Sequence, residues 1–194
     1  MSRLNLAGWV ECTEVEGPGK RFALWVQGCL KRCPGCCNPE MLPMEPRHLV
    51  QAETVIARIR HAHQRHGIEG VTFLGGEPML QAKGLSVIAC EGQKLGLSVM
   101  TFTGYTLEAL KGLALPGAAK LLAHTDVLVA GPYMAQLPDT KRHWAGSANK
   151  RFHFLTDRYA PGIEYEPTLS QAVEFRVGQD GRIRMNGWPI PLSQ

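Results

Sequence analysis

Three cysteines crowd one short run, Cys29-Leu-Lys-Arg-Cys33-Pro-Gly-Cys36, among six in the whole chain. A Cys-x3-Cys-x2-Cys loop can offer three thiolates to three irons of a cubane iron–sulfur cluster, whereas most clusters are held by four cysteines. The remaining iron then has no protein ligand and is free to bind a substrate. Zinc or a reactive dithiol is the competing reading. Zinc usually takes four ligands, commonly as two separated pairs, and no second Cys-x2-Cys pair is present. Cys37 adjoins Cys36, and neighbouring side chains tend to diverge, which makes it a poor fourth ligand to the same metal. Cys12 and Cys90 stand alone and are expected as small buried apolar residues. From the loop alone, an iron–sulfur cluster is favoured over zinc.

The second chemical feature is Gly75-Gly76-Glu77-Pro78, which directly follows the apolar run ending at Leu74. In a parallel α/β sheet, ligands gather beyond the carboxyl ends of the strands. Paired glycines let a backbone approach a ligand closely. Glu77 can accept charge-assisted hydrogen bonds from a ligand ammonium, and Pro78 suits the first turn of a following helix. Taken alone, a plain strand-to-helix turn also accounts for the segment.

These residues need elements to hold them. Ala23–Val26 reads as a short buried strand running into the cysteine loop. Gln51–His66 has a helical pattern with Val55, Ile56 and Ile59 on its apolar face, and Gly67 stops it. Gly70–Leu74 reads as a strand, Gln81–Lys94 as a helix, Leu97–Phe102 as a strand. Thr106 is an N-cap for Leu107–Lys111, and Asp126–Ala130 is a further strand. Such alternation predicts an α/β fold with a largely parallel sheet. Near the end, Ala172–Val177 and Arg182–Met185 alternate around Gly178-Gln-Asp-Gly181, a β-hairpin pattern. It reads as an appendage, reached through a linker from Arg158 to Pro167 that contains Pro161-Gly162. The expected division is therefore 1–157 for the main domain and 158–194 for linker and hairpin.

The 194 residues suit one domain with a real core. No apolar run approaches the roughly 20 residues of a membrane span. The N-terminus lacks the apolar stretch of a secretory signal, so a cytoplasmic location is expected, where clustered cysteines serve metals or redox chemistry more often than disulfides. The net charge of +4 permits an anionic partner without demonstrating one. The basic stretch Lys141-Arg-His-Trp144, with Lys150-Arg151 beyond it, reads as solvated surface. His61 and His66 are expected to be exposed, His63 has no obvious partner, and His153 reads as structural. Thr101, Thr103 and Tyr105 lie at or beyond a strand end, where cofactor contact and packing are both open. No Ser-His-Asp set or P-loop is recognisable.

Taken together, the strand, the three-cysteine loop, the helix, the next strand and Gly-Gly-Glu-Pro resemble the radical S-adenosylmethionine (SAM) superfamily. Glu16-Gly-Pro-Gly19, Val26-Gln-Gly-Cys29, Cys36-Cys-Asn-Pro-Glu40, Thr103-Gly-Tyr-Thr106, Asp126–Pro132 and Gly146-Ser-Ala-Asn149 narrow it. In that order they resemble the small activating proteins of anaerobic ribonucleotide reductase, from about Leu4 to Thr156; Asn186-Gly-Trp-Pro189 resembles tails of some relatives. The resemblance implies a partial (β/α) barrel, a [4Fe-4S] cluster on Cys29, Cys33 and Cys36, and SAM as second cofactor. Gly75, Gly76, Glu77 and Pro78 would seat SAM with Thr103 and Gly104, and Gly35 would lie near its adenine.

The activity implied is reductive cleavage of SAM to a 5′-deoxyadenosyl radical that takes hydrogen from a glycine of a large partner enzyme. The implied partners are that glycyl-radical enzyme and a flavodoxin or ferredoxin as electron donor; separately, no membrane is expected and a nucleic acid is not favoured. Two departures bear on the partner: Ala130 stands where such activators often have an acidic residue, and Lys150 where glutamine is common. They keep open a radical SAM enzyme with a different peptide or small-molecule substrate. A zinc module binding nucleic acid through Lys141, Arg142 and Trp144 leaves Gly75–Glu77 unexplained.

Overall fold

The computed structural model describes residues 2–169, 172–178 and 180–187. Its elements in order are β1 (Arg3–Thr13), β2 (Arg21–Val26), β3 (His48–Gln51), α1 (Ala52–His66), β4 (Gly70–Gly75), α2 (Ala82–Lys94), β5 (Ser98–Thr103), α3 (Leu107–Gly112), α4 (Ala118–Ala123), β6 (Val127–Ala130), β7 (Arg151–Phe154), β8 (Val173–Val177) and β9 (Ile183–Gly187). The first seven strands form one sheet in the order β3-β1-β2-β4-β5-β6-β7. Its middle, β2-β4-β5-β6, is parallel. The flanks β1, β3 and β7 pair antiparallel. The strand–helix alternation gives the parallel middle; the antiparallel flanks were not legible in it.

Local rules explain the helices. α1 ends as predicted on Gly67, whose left-handed backbone lets its N–H reach the His63 carbonyl. Val55, Ile56, Ile59 and Ala62 form its buried stripe. Thr106 caps α3 by accepting the Ala109 N–H. Before α2 a short 3₁₀ turn, Pro78–Gln81, takes the position where the helix was expected to begin.

Period two sorts the strand residues between the two faces. Phe22, Leu24, Val26, Val71, Phe73, Val99 and Leu128 pack on the helix side with Ile59, Leu85 and Ile88. On the other face Met100, Val127 and Val129 meet Phe102, Trp144, Phe152, Phe154 and Tyr159. Arg21 lies fully buried at the amino end of the strands. Its guanidinium donates to Thr72 Oγ1, Ser98 Oγ, and the Pro18 and Val71 carbonyls. Every one of these acceptors is neutral, and together they supply the hydrogen bonds that a buried guanidinium must make.

The segment after Phe154 packs along the body. Ser98 Oγ and the Tyr159 hydroxyl lie 2.7 Å apart, and the His143 N–H donates to the Glu164 carbonyl. The basic stretch is solvated only in part: Lys141 and Arg151 are exposed as expected, whereas Arg142, Trp144 and Lys150 are half-buried. Arg142 pairs with Asp139 and donates to the Lys150 and Ala148 carbonyls, and His143 is buried. His63 also has a partner after all, the Ile68 carbonyl at 3.0 Å.

The hairpin β8–β9 is present as read, and Trp188 and Pro189 of its motif lie outside the described residues. It docks through polar contacts on the end of β1. Glu174 accepts from Thr13 Oγ1 and the Glu14 N–H, Arg176 donates to the Cys12 carbonyl, and the Gly187 N–H reaches Glu16 Oε1 at 2.8 Å.

Burial pushes the Glu16 carboxyl up from 4.5 to about 7, against the pull of hydrogen bonds from Asn186 and Gly187. Glu174 and Arg176 act on it with opposite signs. An acid with a raised folded pKa stabilises the fold fully below 4.5 and loses that contribution as pH rises through about 7. The span corresponds to roughly 3 kcal/mol. Thermal melts of the parent should therefore fall across this window, and Glu16→Gln should flatten the slope; identical pH slopes would refute the role of Glu16.

Candidate functional site

The four parallel strands end side by side, and each leads into a segment singled out in the sequence. β2 leads into Gln27-Gly28 and the cysteine loop, β4 into Gly76-Glu77, β5 into Gly104-Tyr105, and β6 into Gly131-Pro132. A cleft of about 1390 Å³ opens there and along the helix-free face. Cys29, Cys33, Cys36, Gly75, Gly76, Glu77, Pro78, Thr103 and Gly104 all contribute to its wall. Gly35 is exposed on the same loop, beside Ala135.

The cysteine loop is closed at its neck. The Gly28 N–H donates to the Met41 carbonyl and the Cys29 N–H to the Leu42 carbonyl. The Gln27 amide spans the same neck, donating to the Pro43 carbonyl at 2.9 Å. Cys29 is buried, and Cys33 and Cys36 are half-buried. Burial pushes the Cys29 thiol up. The neighbouring thiol is the main influence on each of the adjacent pair, drawing Cys36 down to about 6 and pushing Cys37 up. Cys12 and Cys90 are half-buried, less enclosed than expected. Among the described residues no three His, Cys, Asp or Glu side chains gather closely enough to bind one metal ion. A cubane spreads its thiolates over separate irons, so three cysteines facing one cleft fit a cluster.

Gly75 and Gly76 have a closer neighbour than any ligand. The Gly76 N–H donates to the Val26 carbonyl at 2.8 Å and the Glu77 N–H to the Gly28 carbonyl at 2.9 Å. A Cβ on Gly76 would lie 2.4 Å from the Gly28 oxygen and 2.8 Å from the Met41 oxygen. The two glycines let β4 press against the neck of the cysteine loop.

Glu77 is also tied inward. It is buried, and its carboxylate accepts from the Met79 N–H at 2.9 Å, Thr103 Oγ1 at 2.8 Å and the Gly104 N–H at 2.7 Å. Desolvation raises its pKa while those donors oppose the rise. The ligand ammonium expected at Glu77 therefore finds a carboxylate with three protein donors already in place. Of about four lone-pair positions on a carboxylate, little capacity remains. Glu77 acts first as a strut joining the ends of β4 and β5.

Thr103 and Gly104 share the cleft wall, but Thr101 faces away, with its hydroxyl 3.0 Å from that of Thr125 on the helix side. Tyr105 lies beneath the Lys31 ammonium, 4.5 Å from its ring centroid. His153 is half-buried on β7, and burial lowers its pKa. Trp25, Leu74, Phe102 and Trp144 also line the cleft; sequence reading missed them, although period two in β2, β4 and β5 carries the signal for the first three. Lys150 lines it as well, although it had been read as solvated surface and as a departure from the activator pattern. The hairpin supplies the far wall through Arg176, Arg184 and Asn186.

Residues 15–153, which include the three-cysteine loop and the Gly-Gly-Glu turn, match the 4Fe-4S single cluster domain family, and the chain belongs to that family of iron–sulfur proteins. The chain is 32% identical over 150 residues to the anaerobic ribonucleoside-triphosphate reductase-activating protein of Enterobacteria phage T4, covering 75% of this chain and 91% of that one. Proteins of the same name from Vibrio cholerae serotype O1 and Escherichia coli K12 are 31% and 28% identical, each covering 73% of this chain and 92% of the relative. Within the 4Fe-4S family, the chain thus belongs with the anaerobic ribonucleoside-triphosphate reductase-activating proteins. Among solved structures, QueE from Escherichia coli matches 54% of each chain with a TM-score of 0.43 and 16% identity. β8 and β9 lie beyond the matched residues 15–153. No helix among the described residues is long and apolar enough to cross a membrane.

Proposed function

We propose that the chain is a radical SAM activating enzyme that places a glycyl radical on an anaerobic ribonucleotide reductase. Cys29, Cys33 and Cys36 are assigned as cluster ligands, and Gly35, Gly75, Gly76, Glu77, Pro78, Thr103 and Gly104 as the SAM seat. The observation that carries this reading is the junction of the two motifs: Glu77 N–H to Gly28 O and Gly76 N–H to Val26 O bind the Gly-Gly-Glu turn to the root of the cysteine loop. Both motifs then face one cleft.

When bound, the cluster and SAM supply a 5′-deoxyadenosyl radical that takes hydrogen from the Cα of the partner's glycine. The residues of this chain hold and orient. Glu77 keeps the ends of β4 and β5 in register beneath the cofactors, so reacting groups meet at fixed distance. Trp25, Leu74, Phe102 and Trp144 give the cleft an apolar floor that excludes water. The sheet has β3 and β7 at its ends, and we read it as a partial (β/α) barrel left open for a polypeptide loop. Exposed Leu30, Lys31 and Arg32 on the cysteine loop support electron delivery there by a flavodoxin or ferredoxin. We assign 1–157 as the activating domain and 158–194 as its extension, and a cytoplasmic location.

The test uses anaerobic protein reconstituted with iron and sulfide, mixed with SAM, a low-potential reductant and an anaerobic ribonucleotide reductase. An organic radical signal on the reductase is the expected result. SAM cleavage without that signal would mean that a different substrate is modified.

A further inference from the structure

The cleft holds a cation that the assignments above do not use. Lys150 begins where the Ser147 turn ends, its N–H donating to the Ser147 carbonyl. Its own carbonyl accepts from Arg142 Nη1 at 2.8 Å. The side chain is half-buried, and its ammonium donates to the Gly131 carbonyl at 2.7 Å, at the carboxyl end of β6. Backbone and head group are therefore both fixed, with the ammonium in the cleft wall shared by Cys33, Cys36, Glu77 and Gly104.

Among the described residues Lys150 has no ion pair. The charged groups that act on it most are Glu77 and the thiols Cys33, Cys37 and Cys36. Glu77 spends its oxygens on Met79, Thr103 and Gly104. An ammonium has three donors, and Gly131 takes one. Glu77 balances part of its charge without bonding to it, and the donors left over can take an anion bound in the cleft.

We propose that Lys150 binds the carboxylate of the sulfonium nucleotide, and so holds its amino-acid end over the cysteine loop. This rests on the SAM reading above. SAM carries one carboxylate beside its cationic ammonium and sulfonium, so the carboxylate is the group a fixed lysine can recognise. A lysine is a point charge on a flexible stem, and anchoring by Gly131 removes much of that freedom before the ligand arrives. The other anion in reach is the three-thiolate cluster itself, and the experiment separates the two.

Dissociation constants are measured by equilibrium dialysis on anaerobically reconstituted parent, Lys150→Gln and Lys150→Arg proteins. The probes are SAM and its decarboxylated analogue, with the cluster potential recorded on the same samples. A lost charge-assisted hydrogen bond should weaken SAM binding about tenfold or more in Lys150→Gln, with affinity for the decarboxylated analogue nearly unchanged and Lys150→Arg retaining most of the parent affinity for SAM. Equal weakening of both nucleotides would overturn the assignment in favour of a structural role. Unchanged SAM affinity with a shifted cluster potential would overturn it in favour of the thiolates. A parent protein that binds neither nucleotide would instead remove the proposed function, and this assignment with it.

Discussion

Alanine at Cys29, Cys33 or Cys36 is expected to bring 5′-deoxyadenosine formation down to background, while Cys12→Ala and Cys90→Ala keep it. The asymmetry follows from placement. Cys29, Cys33 and Cys36 line the cleft, with Cys37, from a single loop whose neck is closed by Gln27, Met41 and Leu42. Removing any one leaves a second iron without a protein ligand, and the cluster with too few anchors to stay. Cys90 lies within α2, away from the cleft. Cys12 also lines the cleft, but from β1 and not from the loop, and its carbonyl holds Arg176 of the hairpin, a contact that alanine preserves. Iron and sulfide content measured beside the nucleotide product separates loss of the cluster from loss of turnover. A Cys29, Cys33 or Cys36 variant that retains both would end the ligand assignment. Cys37→Ala is expected to keep the cluster, because Cys37 is exposed and is not one of the three assigned ligands.

Gly76→Ala should be nearly as damaging, although it deletes no functional group. The added methyl would stand 2.4 Å from the Gly28 carbonyl oxygen and 2.8 Å from that of Met41. Both obstacles are backbone at the neck of the cysteine loop, so neither can rotate away. Overpacking of this kind costs about 1–3 kcal/mol even where side chains can adjust. Relief would come by moving β4 from the loop, breaking the Gly76–Val26 and Glu77–Gly28 hydrogen bonds. We expect a lowered melting temperature together with poor cluster uptake. Gly112→Ala, at the end of α3 with no atom within 4 Å of the new methyl, should change neither. Normal cluster content in Gly76→Ala would show that the junction does not hold the loop in place.

The Glu77 result explains why part of the site was legible and part was not. A glutamate after two glycines at a strand end suggests a group offered to a ligand, and its place in the cleft agrees. Its hydrogen bonds to Thr103 and Gly104 could not be read from the sequence, because those residues are 26 and 27 positions away. Lys150 shows the same limit. As a letter it was a departure from a pattern; as an ammonium held by Gly131, 19 positions earlier, it becomes a recognition group. Arg142 and His143 go the other way, from expected surface charge to a half-buried and a buried fastener of the segments around Lys150 and Glu166.

Patterns set by neighbours in the chain were open to direct reading: the three-cysteine loop, the Gly67 stop, the Thr106 cap, the parallel strand–helix repeat and the hairpin. Each depends on dihedral preference, period or spacing over a few residues, which a linear string records. Folding alone decided which strand ends lie side by side, where Glu77 spends its oxygens, and which cation enters the cleft. Those outcomes depend on how crossovers stack the sheet, and that is fixed by the burial of the whole core at once.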